Sequence, residues 1–108
     1  MDKEPFTAEL NDQPGYQRLL PGTPQTHGLK SGKVNLAPGA DCGVHSTENK
    51  EEMLLFLAGT GVATLAQDND IEVEKGKVLY IPPQTEHNIK NTGTEPLVYI
   101  FCVAPVSQ

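Results

Sequence analysis

Cysteine is scarce in this chain of 108 residues, with Cys42 and Cys102 its only two. They make no Cys-x-x-Cys pair and no disulfide framework of the kind small secreted domains carry, so free thiols are expected. Basic residues are also few: 8 Lys and Arg stand against 14 Asp and Glu, a formal charge of −6. A phosphate backbone or an anionic lipid surface repels such a chain on average, and no Lys/Arg cluster offsets this, which argues against nucleic acid and membrane as partners. Also missing are an apolar stretch near 18 residues, an N-terminal basic-then-apolar export segment and any Asn-x-Ser/Thr glycosylation signal. A cytoplasmic location is the expectation. Helix-period hydrophobic patterning of useful length is missing as well.

Turn-forming residues, by contrast, are plentiful. Ten glycines and nine prolines lie between short apolar runs rather than in one block, the pattern of many turns joining many short strands. The length suits one hydrophobic core, not two. Residues 1–28 form a polar arm broken by Pro5, Pro14, Pro21 and Pro24, through which neither a helix nor a central strand runs far. Tyr16–Leu20 is the arm's candidate strand. The arm is expected to pack along a barrel edge, its own or a partner's, or else to trail as a tail.

Residues 29–108 have the character of an all-β barrel domain. Strands are expected near Lys30–Leu36, Gly43–Thr47, Glu52–Leu57, Val62–Gln67, Ile71–Glu74, Val78–Ile81, Glu86–Lys90 and Leu97–Val103. Gly59-Thr60-Gly61, Asp68-Asn69-Asp70 and Thr92–Pro96 read as turns closing antiparallel hairpins. Asp68-Asn69-Asp70 lacks the alternating ligands and glycine of a calcium loop. The run from Leu97 to Val103 is apolar on both alternating faces, so both are expected to be covered. Leu55 and Leu57, opposite in parity to Glu52, raise the same need, and a homodimer joined through a sheet face is expected.

Strand alternation puts His45 with Thr47 on one face, Glu52 with Leu54 and Phe56 on another, and His87 in phase with Ile89. Polar groups among apolar neighbours suggest a barrel interior. Two imidazoles and a carboxylate are costly to bury unpaired, and a divalent cation satisfies all three at once.

The surrounding residues resemble the paired motifs of the cupin superfamily. Gly39, His45, Glu52 and Gly59 match the pattern G-x5-H-x-H-x3/4-E-x6-G; Gly76, Pro82, His87 and Asn91 match G-x5-P-x-G-x2-H-x3-N. The resemblance covers about half the chain, Gly39 to Asn91, and implies a double-stranded β-helix, a jelly-roll-like antiparallel barrel preceded here by the N-terminal arm. It also implies a divalent metal ion (Fe, Mn, Zn or Ni) held by His45, Glu52 and His87. Thr47 stands where the family has a second histidine, and a hydroxyl is a poor ligand for zinc or iron. Gln84 replaces the second motif's glycine. Either its turn takes a different geometry, its amide reaches the site as a donor, or it is an ordinary surface residue.

Glu51 is the competing carboxylate, which the six-residue gap to Gly59 disfavours; Glu48 and Glu86 are expected to be solvated. Cys42, three residues before His45, faces away in a regular strand unless Gly43 introduces a bulge. Cys102 is expected to be structural, and His27, in the arm, to be exposed. The resemblance therefore implies a metal-binding protein acting on a small organic substrate by dioxygenation, isomerisation or decarboxylation. The alternative is a non-catalytic barrel that holds a sugar or a carboxylic acid, with His45 and His87 as hydrogen-bonding groups. Thr47 and Gln84 are the candidate polar residues of the pocket.

Overall fold

The computed structural model describes residues 3–66 and 69–106. Its strands are β1 (Gly15–Pro21), β2 (Lys30–Leu36), β3 (His45–Ser46), β4 (Lys50–Ala58), β5 (Thr60–Leu65), β6 (Asn69–Glu74), β7 (Val78–Ile81), β8 (Glu86–Asn91) and β9 (Leu97–Pro105). Gln67, the expected end of one strand, and Asp68, the first residue of an expected turn, lie outside the described residues. Asn69 and Asp70 of that turn open β6 instead.

Period-two patterning explains why these segments are strands. In β4, Glu52, Leu54 and Phe56 are buried while Glu51 and Met53 are exposed; in β8, His87, Ile89 and Asn91 are buried between exposed Glu86 and Lys90. All pairings are antiparallel and make two sheets, one ordered β1-β2-β9-β4-β7 and the other β3-β8-β5-β6. Their facing sides bury Leu36, Leu54, Phe56, Ile81, Ile89, Leu97 and Tyr99 among others. The Phe56 and Tyr99 rings pack tilted at 5.2 Å. Burying a side chain of this size stabilises the fold by about 1.5–3 kcal/mol.

Two of the expected hairpins are not hairpins. β4 belongs to the first sheet and β5 to the second, so Gly59 is a corner at which the chain changes sheets. Its φ is 87°, and a Cβ there would stand 2.3 Å from the Pro96 carbonyl oxygen, so glycine is required both for the turn and for the close approach. Thr92–Pro96 likewise joins β8 to β9 across sheets. Among the described residues, only β1–β2 and β5–β6 pair as sequence neighbours. Repeated crossing between two sheets is the double-stranded β-helix winding, and it converts local alternation into a closed shell.

The arm contributes β1, which pairs with β2 at the edge of the five-stranded sheet. Ahead of it, the chain folds back over that sheet's outer side. The Lys33 ammonium donates to the Asn11 carbonyl, and the Gln17 amide accepts from Asn11 N–H at 3.0 Å and donates to the Glu9 carbonyl at 2.6 Å. These bonds cover Lys33, which is buried on the face opposite the core.

The motif asparagine, Asn91, is fully buried. Its amide donates to the carbonyls of Leu36 and Glu95 at 2.9 and 2.8 Å and accepts from Gly93 N–H at 2.9 Å. It thereby ties the end of β2 to the β8–β9 crossing. Asn91→Ala leaves three backbone groups short of a partner, one of them in a buried bond and two in part-buried bonds, and the expected loss is about 2–4 kcal/mol in a urea titration; a loss below about 1 kcal/mol would show that water replaces the amide there.

Candidate metal centre

The site is assembled from three strands of two sheets. Glu52 is the third residue of β4, where its alternation with Leu54 and Phe56 turns it inward. His87 comes from β8, in phase with Ile89. His45 stands on the short β3, directly opposite His87 in the β3–β8 register.

One extra residue makes that register possible. Asp41 bridges Lys90, whereas His45 pairs with His87, so the chain gains one position on β8 between them. Gly43 sits in this interval with φ 90°, a bulge that reverses the phase of the segment. Its consequence is that Cys42, whose N–H bonds the Ile89 carbonyl at 3.0 Å, lies on the cavity wall together with His45. Regular alternation had placed it on the opposite side.

Donor atoms from His45, Glu52 and His87 all lie within 4.8 Å of one another. The imidazole rings meet edge-on, centroids 4.4 Å apart and planes at 67°. His45 Nδ1 lies 3.1 Å from the Gly43 carbonyl oxygen and His87 Nδ1 lies 3.1 Å from the Thr85 carbonyl oxygen. A carbonyl only accepts, so each Nδ1 carries the proton, and each neutral ring keeps its lone pair on Nε2.

His87 Nε2 lies 3.3 Å from a Glu52 oxygen, within ion-pair reach. The buried nitrogen has no hydrogen-bond partner among the described residues. An orphaned nitrogen, a nearly buried carboxylate and a second imidazole, set among apolar walls, fit a divalent cation of the Zn, Fe, Mn or Ni type. His87 and Glu52 are 2% and 8% exposed while His45 is open to solvent, so the group lies where the cavity meets water.

The other sequence candidates separate cleanly. Glu51 faces outward and accepts a hydrogen bond from the Tyr80 hydroxyl at 2.8 Å. Thr47 is buried, but its hydroxyl donates to the Pro82 carbonyl at 2.7 Å and accepts from Thr85 N–H at 3.0 Å. In place of a second motif histidine there is thus a bolt between the β3–β4 connection and the loop that precedes β8.

Gln84 keeps the left-handed turn that glycine would favour, at φ 56°, its N–H bonding the Glu48 carbonyl at 2.8 Å. Its side chain is exposed and away from the cavity wall, so neither a changed turn nor a pocket amide holds. Glu86 and His27 are exposed. Cys102 faces the outer side, opposite Ser31 and Met53, and burial pushes its thiol pKa up, which suits an inert role.

The cavity holds about 550 Å³. Sequence reasoning did not single out Tyr99, Phe101, Lys30 or Lys50, all of which line it. Tyr99 had the required parity within β9, but only pairing with β4 identifies which face of β9 is inside. Burial, and then Cys42 and Glu52 nearby, push the Tyr99 phenol well above its ordinary pKa, so it keeps its proton.

A two-sheet antiparallel barrel with a His, Glu and His group at its mouth defines the cupin class of protein. The chain belongs to that family: residues 32–103 match the Cupin domain model. It is 43% identical over 63 residues to the uncharacterized protein MJ1618 of Methanocaldococcus jannaschii, covering 57% of this chain and 49% of that one. It is 31% identical over 73 residues to the oxalate-binding protein of Thermotoga maritima, covering 66% and 58%. The chain spans about half the length of the curated relatives it matches. In fold it is similar to an RmlC-like cupin family protein of M. jannaschii, with a TM-score of 0.79, 19% identity and coverage of 94% and 91%.

Burial lowers the pKa of His87, but the Glu52 carboxylate and the Thr85 carbonyl outweigh it and the net shift is upward. A histidine pKa raised on folding adds stability below the unfolded value of about 6.5, and this is lost as pH rises through the folded value. Chelator-treated protein is therefore expected to lose more stability from His87→Gln at pH 5.5 than at pH 8.5, about pH values on either side of that window. Metal loading runs the other way, since the proton and the cation compete for the same Nε2. Equal losses at both pH values in denaturant titrations count against the assigned pair.

Proposed function

We propose that this protein is a metal-dependent cupin that binds or transforms a small organic molecule in the barrel cavity. The observation that carries the reading is the buried His87 Nε2, which faces Glu52 without a hydrogen-bond partner while both imidazoles are oriented through Nδ1. A divalent ion bound there supplies Lewis acidity, or oxygen chemistry if it is iron. His45, Glu52 and His87 hold it, with Thr47 withdrawn from ligation by its two hydrogen bonds. Three protein ligands leave positions open for water or an organic molecule.

The rest of the wall excludes water and orients the occupant. Leu36, Leu54 and Ile89 provide apolar contact, and protonated Tyr99 is available as a hydrogen-bond donor rather than a base. Among the reactions of the superfamily, dioxygenation, isomerisation and decarboxylation are the candidate activities. The second reading, a non-catalytic carrier, is favoured by the use of Thr47 as a structural bolt, since a lost ligand weakens metal binding. The relative named as an oxalate-binding protein supports a small-molecule occupant in either case.

Metal analysis separates the two readings. Freshly purified protein is expected to contain stoichiometric iron, manganese, nickel or zinc, and His87→Ala or Glu52→Gln to weaken its retention about 100-fold or more. A metal-free barrel that retains an organic ligand identifies the carrier instead.

We also propose a homodimer joined through the outer side of the five-stranded sheet and a cytoplasmic location. Met53 pairs with Tyr80 and Leu55 with Val78 in register, and Met53, Tyr80 and Val78 are 38%, 56% and 59% exposed, which makes a contiguous apolar patch. The free thiols of Cys42 and Cys102 suit a reducing compartment. Sedimentation is expected to give twice the chain mass at micromolar concentration, and Tyr80→Lys to shift it to the single-chain value.

A further inference from the structure

Lys30 and Lys50 give the cavity mouth a charge unlike that of the rest of the molecule. The chain is acidic, with 8 basic residues against 14 acidic ones, yet two of those cations line this one cavity. The sheet register places them. Lys30 pairs with Val103, Val103 with Glu52, so Lys30 and the Glu52 carboxylate lie on the same inner row of the five-stranded sheet, two strands apart. That spacing is roughly 10 Å. Lys50 lies two residues before Glu52 on β4, on the same inner face and one step nearer the rim.

Among the described residues neither ammonium group forms an ion pair, and the ion pair found there is that of His87 with Glu52. On the wall, Glu48 is the other acid besides Glu52. With a divalent cation at Glu52, the remaining balance on the wall favours positive charge. An unpaired cation beside a low-dielectric wall attracts an anion more strongly than the same cation in open solvent.

Behind this charged row the wall is apolar. Val34, Leu36, Leu54, Ile89 and Phe101 offer no hydrogen-bonding group, Tyr99 adds a single hydroxyl, and the Tyr16 ring stacks against Phe101 at 6.0 Å with planes at 18°. Gly32 permits that stacking, since a Cβ there would meet the Tyr16 ring at 2.5 Å. A sugar presents hydroxyl groups on every side and would leave many of them unpaired against such a surface. An anion with one charged end and an apolar, flat body matches both halves of the cavity.

We infer that the cavity takes a small amphipathic carboxylate, its carboxylate held between the metal site and the Lys30 and Lys50 ammonium groups and its apolar body against Leu54, Ile89 and the Tyr16–Phe101 pair. This deepens the proposed metal-dependent reading and rests on it for one half of the anion's binding. The lysines supply the other half.

Calorimetric titration with 3-phenylpropanoate, its neutral amide and glucose tests the inference, on protein loaded with cobalt(II) and on chelator-treated protein. The acid is expected to bind about tenfold or more tightly than the amide, with glucose weaker than both. The Lys30→Gln/Lys50→Gln double variant is expected to lose about tenfold in acid affinity and to keep the cobalt(II) absorption spectrum of the parent. Equal binding of acid and amide, preference for glucose, no acid binding at millimolar concentration, or a double variant with unchanged acid affinity each overturns it. The two readings fail separately. An acid preference that depends on the lysines in a protein without a cobalt(II) spectrum removes the metal and leaves the carboxylate; a normal cobalt(II) spectrum without acid preference does the reverse.

Discussion

A buried imidazole and a nearly buried carboxylate held 3.3 Å apart inside an apolar shell is the arrangement on which this protein depends. Neither group is at rest there alone. An uncompensated charge in such surroundings costs several kcal/mol, so His87 and Glu52 must share a proton or a cation. Their strands belong to different sheets, β8 to one and β4 to the other. The same interaction therefore joins the two sheets at the mouth of the barrel, where with His45 it makes a group that could hold a metal.

The substitution of threonine at position 47 changes the balance of that site in a definite way. A histidine side chain there would serve the metal. The hydroxyl serves the fold instead, joining the Pro82 carbonyl to Thr85 N–H and holding the loop that presents His87. Thr85 in turn orients the His87 ring through its carbonyl. A short chain of hydrogen bonds thus stands where the family pattern has a second histidine, and it fixes the ring of one candidate ligand.

Charge around the cavity follows a similar division between fold and chemistry. Lys33, on β2, is buried on the outer side and bonded to the arm, whereas Lys30 on the same strand lies on the cavity side. Three residues of separation put the two ammonium groups on opposite faces of one strand. One holds the N-terminal segment in place and the other meets whatever enters the barrel.

Much of this was legible along the chain. Alternation alone oriented Glu52 with Leu54 and Phe56 and aligned His87 with Ile89, because a strand's period of two is a local property that needs no partner. The winding was implied by the resemblance of the motif residues to those of the cupin superfamily, among them Gly59 and Gly76, which both turn with positive φ. Tertiary structure decided what local pattern does not encode: which sheet each strand joins, so that Gly59 is a corner and not a hairpin, and how far register slips at Gly43, so that Cys42 faces the cavity. It also brought Lys30, Tyr99 and Phe101 to the cavity that His45, Glu52 and His87 line. Those outcomes depend on hydrogen-bonded pairing between strands distant in sequence, and a one-residue shift in such pairing moves every side chain beyond it to the opposite face.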